Sequence, residues 1–172
     1  MNIKISDEIM LEPLSIRDAG VLYSVIDENR TFLEQSLYWV GKVKDKETAK
    51  NYIMKRINSG EPGASWFKIK QKHAIVGIFG VKSTCYQLLE AEIGYWLTEA
   101  ARGNGIISKA IIAVGKILKD QGLSSIKIMC LDENKASIAV AERAGANHIN
   151  SVPNYMEING KLQNLNIYRV KL

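Results

Sequence analysis

Cysteine, histidine and proline are scarce in this chain, and each scarcity closes off a class of function. The two cysteines, Cys85 and Cys130, lie far apart and form no CxxC pair. Neither a disulfide framework nor a cysteine-built zinc site is expected. The two histidines, His73 and His148, have no second histidine at ligand spacing, so no metal site is read. No Pro- or Ser-rich linker divides the chain and no internal repeat is evident. The longest apolar stretches, such as Ala74 to Val81, fall far short of a membrane span. The opening Met-Asn-Ile-Lys-Ile-Ser-Asp-Glu carries acidic residues where a signal peptide needs an apolar core. A soluble, cytoplasmic chain is expected, with no membrane partner.

What is present is an ordinary globular mixture, 47% apolar and 24% charged. At 172 residues the chain can bury about 70% of its unfolded surface without staples, as one domain over residues 1–172. With 23 basic and 18 acidic residues the net charge is +5, which favours an anionic partner: nucleic acid, an acidic protein or a phosphorylated cofactor. The basic residues are spread along the chain, which argues against direct nucleic-acid binding.

A strand fits Ile9 to Pro13, followed by Ser15 as an N-cap with Asp18 in capping-box position. Val21, Leu22, Val25 and Ile26 have helical spacing, a second short helix carries Phe32, Leu33 and Leu37, and a third runs from about Asp45 to Asn58. Trp66 to Lys70 and Ile75 to Lys82 read as a hairpin, and Glu92 to Leu97 as a further strand. Ser108 to Gln121 is a strong helix stopped by Gly122, Ser125 to Leu131 a buried strand, and Ala136 to Ala144 a helix ended by Gly145. Tyr155 to Ile158 and Asn166 to Leu172 read as strands around an Asn159-Gly160 turn. Strand–helix–strand passages imply parallel pairing and hairpins imply antiparallel pairing, so the expected fold class is α/β with a mixed sheet.

The segment from Glu92 to Ser108 is the most informative. A strand enters the loop Arg102-Gly103-Asn104-Gly105, which opens the strong helix. A helix N-terminus offers unpaired N–H groups and positive dipole charge, and glycine lets a ligand approach the backbone, so the loop suits a phosphate. Ser108 can cap the helix or donate to a phosphate, and Arg102 and Lys109 add charge. The loop is neither a Walker loop nor a GxGxxG fingerprint. A plain structural turn is the alternative.

The run Ile93-Gly94-Tyr95-Trp96-Leu97 followed by Arg102-x-x-Gly105 resembles the acyl-CoA loop of the GNAT acetyltransferase superfamily, Gln/Arg-x-x-Gly-x-Gly/Ala, with Ile107 in place of the last Gly/Ala. Asn134-Lys135-Ala136-Ser137, with the helix ending at Ala144-Gly145, resembles the family's Asn-x-x-Ser motif; Ala146 replaces its aromatic residue. Asn29 to Trp39, and the ending from Ile158 to Tyr168, resemble the RimJ/RimL-type ribosomal-protein N-terminal acetyltransferases.

The resemblance implies a GNAT-like fold: a mixed, mostly antiparallel sheet with flanking helices and a parallel strand pair splayed between Gly94–Leu97 and Ser125–Leu131. It implies acetyl-CoA as co-substrate, bound without a metal, and direct transfer to a primary amine. The backbone of Tyr95 and Trp96 would face the thioester carbonyl and Leu97 the pantetheine. The N–H groups of Gly103, Asn104, Gly105, Ile106 and Ile107, with Arg102 and Ser108, would hold the pyrophosphate. Asn134 and Ser137 would sit near the pantetheine and thiol, with Ser137 either donating to the leaving thiolate or only stabilising its helix. Glu92 and Glu157 are the candidate bases, with strand-surface charge as the alternative for each. Phe32, Tyr38 and Trp39 are candidate walls of the acceptor cleft, with core packing as the alternative. The acceptor is expected to be a protein N-terminus, with that of a ribosomal protein as the case the resemblance points to; a polyamine, aminoglycoside or amino acid is the second reading and a non-catalytic acyl-CoA sensor the third. A homodimer is compatible with all three.

Overall fold

A computed structural model describes residues 1–172. Its strands are β1 (Ile3–Lys4), β2 (Ile9–Pro13), β3 (Ser65–Gln71), β4 (Ala74–Cys85), β5 (Glu90–Leu97), β6 (Ser125–Leu131), β7 (Asn147–Ile158) and β8 (Lys161–Lys171). Its helices are α1 (Ala19–Glu28), α2 (Arg30–Leu33), α3 (Lys46–Ile57), α4 (Ile106–Asp120) and α5 (Lys135–Arg143). All eight strands form one mixed sheet in the order β1-β2-β3-β4-β5-β6-β8-β7. Only β5 and β6 pair in parallel; the fold is the expected α/β arrangement.

Alternation along the strands divides the apolar residues between two cores. Phe79, Ile93 and Leu97 point to the face covered by α4, where Ile106, Ala110, Ile111, Val114 and Leu118 form the buried stripe. Ile78 and Trp96 point to the opposite face, against Leu22 and Ile26 of α1 and Ile53 of α3. Fully burying one such side chain contributes about 1.5–3 kcal/mol, so each face has ample material to hold its helices.

Helix starts follow local chemistry. Ser15 and Asp18 form the expected capping box. Asp45 and Thr48 form a second one at the start of α3. α2 stops at Leu33, so Leu37 lies in the turn that follows rather than in the helix. At the other end of the chain, β7 begins at Asn147 and β8 at Lys161, both earlier than the side-chain pattern indicates. Asn159 and Gly160 both have positive φ and form the two-residue connection between Ile158 and Lys161.

The parallel pair fixes the position of the site. β5 and β6 are in register from Glu90↔Ser125 to Ile93↔Ile128, and pairing stops there. β5 continues to Leu97 on the β4 side and β6 to Leu131 on the β8 side. The strands therefore splay from Gly94 and Met129 onward, and the backbone of Gly94–Leu97 has no strand partner on its β6 side.

Candidate active site

Two cavities meet at this splay. The larger, about 630 Å³, runs from Tyr95–Leu97 past Arg102, Gly103 and Gly105–Lys109 to Asn134, Ser137 and Arg143. The smaller, about 230 Å³, is lined by Tyr38, Trp39, Lys82, Gly94, Met129, Cys130, Tyr155 and Met156, among others. Ser36, Leu37, Tyr95, Asn134 and Ser137 line both, so a group held in one cavity faces a group held in the other.

The floor of the larger cavity is the start of α4. Gly105 is the N-cap and sits in the left-handed region at φ 67°, a conformation that costs a residue with a Cβ roughly 1–2 kcal/mol. Ser108 is therefore inside the helix and not its cap, a correction to the sequence reading. The backbone N–H groups of Gly103 through Ser108 donate no hydrogen bond within the protein. Asn104 turns its amide back to the carbonyls of Ala101 and Arg102, holding the loop shape; its side chain does not line the cavity. Arg102, Lys109 and Arg143 line this cavity, and no carboxylate does. Burial lowers the pKa of Arg102, yet a guanidinium stays charged. A row of free N–H groups, a helix dipole and three cations make a site for a polyanion.

At the junction, Asn134 caps α5 by accepting from Ser137 N–H at 3.2 Å. The Ser137 side chain is half-buried and lines both cavities. Beside it the buried Tyr95 hydroxyl has no hydrogen-bond partner, and Ser137 is near enough to act on it. Burial pushes the Tyr95 phenol far up, against smaller opposing contributions from Ser137, Arg143 and Arg102, so it remains a protonated donor. Burial likewise pushes the Cys130 thiol up to about 12, so it is uncharged.

The remaining candidates fall in different places. Tyr38 and Trp39 line the smaller cavity. Trp39 also stacks on Tyr52, with ring centroids 4.4 Å apart, so wall and packing roles coexist in one side chain. Phe32 lines neither cavity; it lies under the Arg102 guanidinium, 4.4 Å from its ring centroid. Trp96 contributes its backbone to the larger cavity while its indole goes to the other core. Glu92 lines neither cavity. Its carboxylate is shared between Lys82 and Lys127, the latter at 3.0 Å. Burial raises its pKa, but the two lysines outweigh that and hold it below the usual carboxylate range. Glu157 is exposed on β7, paired in register with Leu162, and outside both cavities. No group of three His, Cys, Asp or Glu side chains is placed to hold a metal ion, and no helix is long and apolar enough to cross a membrane.

Sequence reasoning did not place Lys82, Arg143, Cys130, Tyr155 or Met156 in the site. Lys82 is the least legible of these. Val81 pairs with Ile93 and Ser83 with Glu92, so Lys82 is the extra residue of a β-bulge.

A splayed parallel pair over a polyanion-binding helix start defines an acyl-CoA-dependent acyltransferase. Residues 8–147 match the model of the acetyltransferase (GNAT) domain family, and the chain belongs to that family. It is an acetyl-CoA-dependent N-acetyltransferase.

The chain is 32% identical over 145 residues to the ribosomal-protein-serine acetyltransferase of Escherichia coli strain K12, covering 83% of this chain and 81% of the relative. The microcin C7 self-immunity acetyltransferase MccE, solved with acetyl-CoA and AMP, is similar at 28% identity and a TM-score of 0.87, covering 98% of this chain and 95% of the other. The ribosomal α-N-protein acetyltransferase RimL, solved with coenzyme A, shares the fold at a TM-score of 0.90 and 24% identity, covering 100% and 98% of the two chains.

Proposed function

We propose that this enzyme acetylates the N-terminal amine of a protein, with a ribosomal protein as the leading acceptor, by direct transfer between two substrates bound together. The observation that carries the reading is the meeting of the two cavities at Tyr95 and Ser137. The larger cavity has the size of a cofactor site; the smaller, at about 230 Å³, is below the usual range for a whole drug-sized ligand. It suits the amine end of an acceptor whose bulk stays outside, as with a protein N-terminus. The relative named for ribosomal-protein serine supports the acceptor class.

In this reading, the N–H groups of Gly103 to Ser108 with Arg102 hold the pyrophosphate, and the unpaired backbone of Leu97 holds the pantetheine. The backbone at Tyr95 and Trp96 stabilises the oxygen that gains charge as the amine attacks. Side-by-side binding supplies much of the rate. The new N–C bond forms as the C–S bond breaks, and the Ser137 hydroxyl gives a proton to the departing thiolate and regains one from solvent. The amine's proton leaves through water, because Glu92 is engaged by two lysines and Glu157 faces solvent.

The test is acetyl-CoA turnover across unstructured peptides with free N-termini, serine among them, and across a panel of small amines. Faster transfer to the peptides is expected, with acetate recovered on the α-amine by mass spectrometry. A small-molecule acceptor has one point in its favour, the likeness to MccE, which was solved with the small molecule AMP as well as acetyl-CoA. Turnover confined to small amines would select it.

A further inference from the structure

The walls of the smaller cavity carry a single charge, and it is positive. They include no aspartate or glutamate, and Lys82 is the only charged side chain. The bulge at Lys82 takes this residue out of the regular alternation of β4 and aims it across Gly94. A Cβ built at Gly94 would lie 3.2 Å from Lys82 Cδ, so the missing side chain there is what leaves room for the lysine stem.

Lys82 is only partly neutralised. Glu92 is the one acidic partner of both Lys82 and Lys127, so three charged groups sum to one net positive charge. The next pair along the sheet, Arg169 with Glu90, is self-compensated. The Lys82 side chain remains 43% exposed, free to offer donors to a ligand.

A second cation stands behind the cavity wall. The Arg56 guanidinium stacks 3.3 Å from the centroid of Tyr52 and 5.5 Å from that of Trp39. It forms no ion pair with any carboxylate, and its Nε is buried without a partner. Its pKa is lowered, chiefly by burial, but arginine keeps its charge at any working pH.

We infer that the acceptor site selects amines carrying an anionic group within a residue or two of the amine, with Lys82 as the specificity-determining contact. This rests on the smaller cavity being the acceptor site. Electrostatic complementarity of this kind acts through both attraction and rejection: a carboxylate close to the amine meets Lys82, while a polycation such as a polyamine or aminoglycoside meets like charge and no carboxylate in the cavity wall. For a protein acceptor the preferred N-terminus carries aspartate or glutamate at its second or third residue.

The experiment measures kcat/KM with acetyl-CoA for two matched series. One series is peptides starting with serine that differ only in Glu, Gln or Lys at the second or third residue. The other is small amines, serine against serinamide. The Glu peptides should be used about 10-fold better than the Lys peptides, and Lys82→Gln should erase the difference while Lys82→Arg keeps it. Lys127→Gln, outside the cavity, should also weaken the preference, because Glu92 then neutralises Lys82 alone. Equal use of all peptides, a preference for Lys, or a Glu preference unchanged in Lys82→Gln would overturn the inference and leave N-terminal acetylation standing. If peptides are not used but serine is preferred over serinamide in a Lys82-dependent way, the protein-acceptor reading falls and the anionic selectivity holds. Absence of transfer to both series overturns both.

Discussion

The indole Nε1 of Trp96 donates a 3.0 Å hydrogen bond to the hydroxyl of Tyr52, deep between β5 and α3. Both residues are buried. The bond fixes the strand whose backbone borders the splay to the helical layer on the other face. Replacing Tyr52 by Phe leaves the indole N–H buried without an acceptor, which costs about 1–3 kcal/mol. A denaturant midpoint shifted down with an unchanged slope would display this; a midpoint equal to wild type would show that water or another acceptor takes over.

The helix start makes a binding prediction. Gly105 has open space around the position of a Cβ, so a side chain there meets no protein atom. Its cost lies in the left-handed backbone and in blocking a ligand's approach to the N–H groups. Gly105→Val should weaken CoA binding by 10-fold or more, about 1.4 kcal/mol. Calorimetry giving unchanged affinity in a folded variant would move the pyrophosphate elsewhere.

Trp39 combines two roles that the sequence offered as alternatives. Trp39→Ala should raise the acceptor's KM much more than that of acetyl-CoA, since Trp39 lines only the smaller cavity. It should also lower Tm, because the stack with Tyr52 is lost. Trp39→Phe retains a ring and should recover most of the Tm. Equal changes in both KM values would reduce Trp39 to a packing residue.

The state of Glu92 predicts a flat region in the pH profile. Its folded-state pKa lies below its ordinary value of 4.5, so the ion pairs with Lys82 and Lys127 are complete above that value. They are lost as pH falls through the lowered value. Between about pH 6 and 9 no inflection in kcat/KM should belong to Glu92. An inflection in that range abolished by Glu92→Gln would restore Glu92 as the base.

How much of this was legible beforehand depended on whether a feature writes itself into side chains. The Arg102–Ser108 loop was readable because Arg102-x-x-Gly105 stands between a β-rich run and a strongly striped helix, a context that a plain turn does not need. Asn159-Gly160 was readable because its two residues prefer the same positive-φ turn. β7 was not: residues Asn147 to Tyr155 are all exposed and show no alternation, so backbone pairing with β8 holds them in the sheet without an apolar signature. The bulge at Lys82 was invisible for a different reason. Ile75 to Lys82 reads as a plain, nearly continuous apolar strand, and the extra residue emerges only when β5 fixes the register. The charge of the smaller cavity hung on that one register shift.

Ser137 is the residue for which the structure separates two roles that are usually entangled. The cap of α5 belongs to Asn134, whose side chain accepts from the Ser137 N–H. Alanine keeps that N–H, so Ser137→Ala should leave α5 and Tm nearly unchanged. Asn134→Ala should cost about 1 kcal/mol through the lost cap. The Ser137 side chain lines both cavities, and its hydroxyl is available to the sulfur as charge builds there. A contact that strengthens in the transition state lowers kcat when removed, more than it raises KM. Proton donation of this kind is typically worth about 10²- to 10⁴-fold. The measurement is single-turnover transfer at saturating acetyl-CoA, with a melting curve on the same sample. A rate within a few-fold of wild type would take Ser137 out of the chemistry and leave either water or the neighbouring Tyr95 hydroxyl, buried and unpartnered, as the thiolate's donor. Tyr95→Phe in the Ser137→Ala background then tells these apart, because only a protein donor is lost with it.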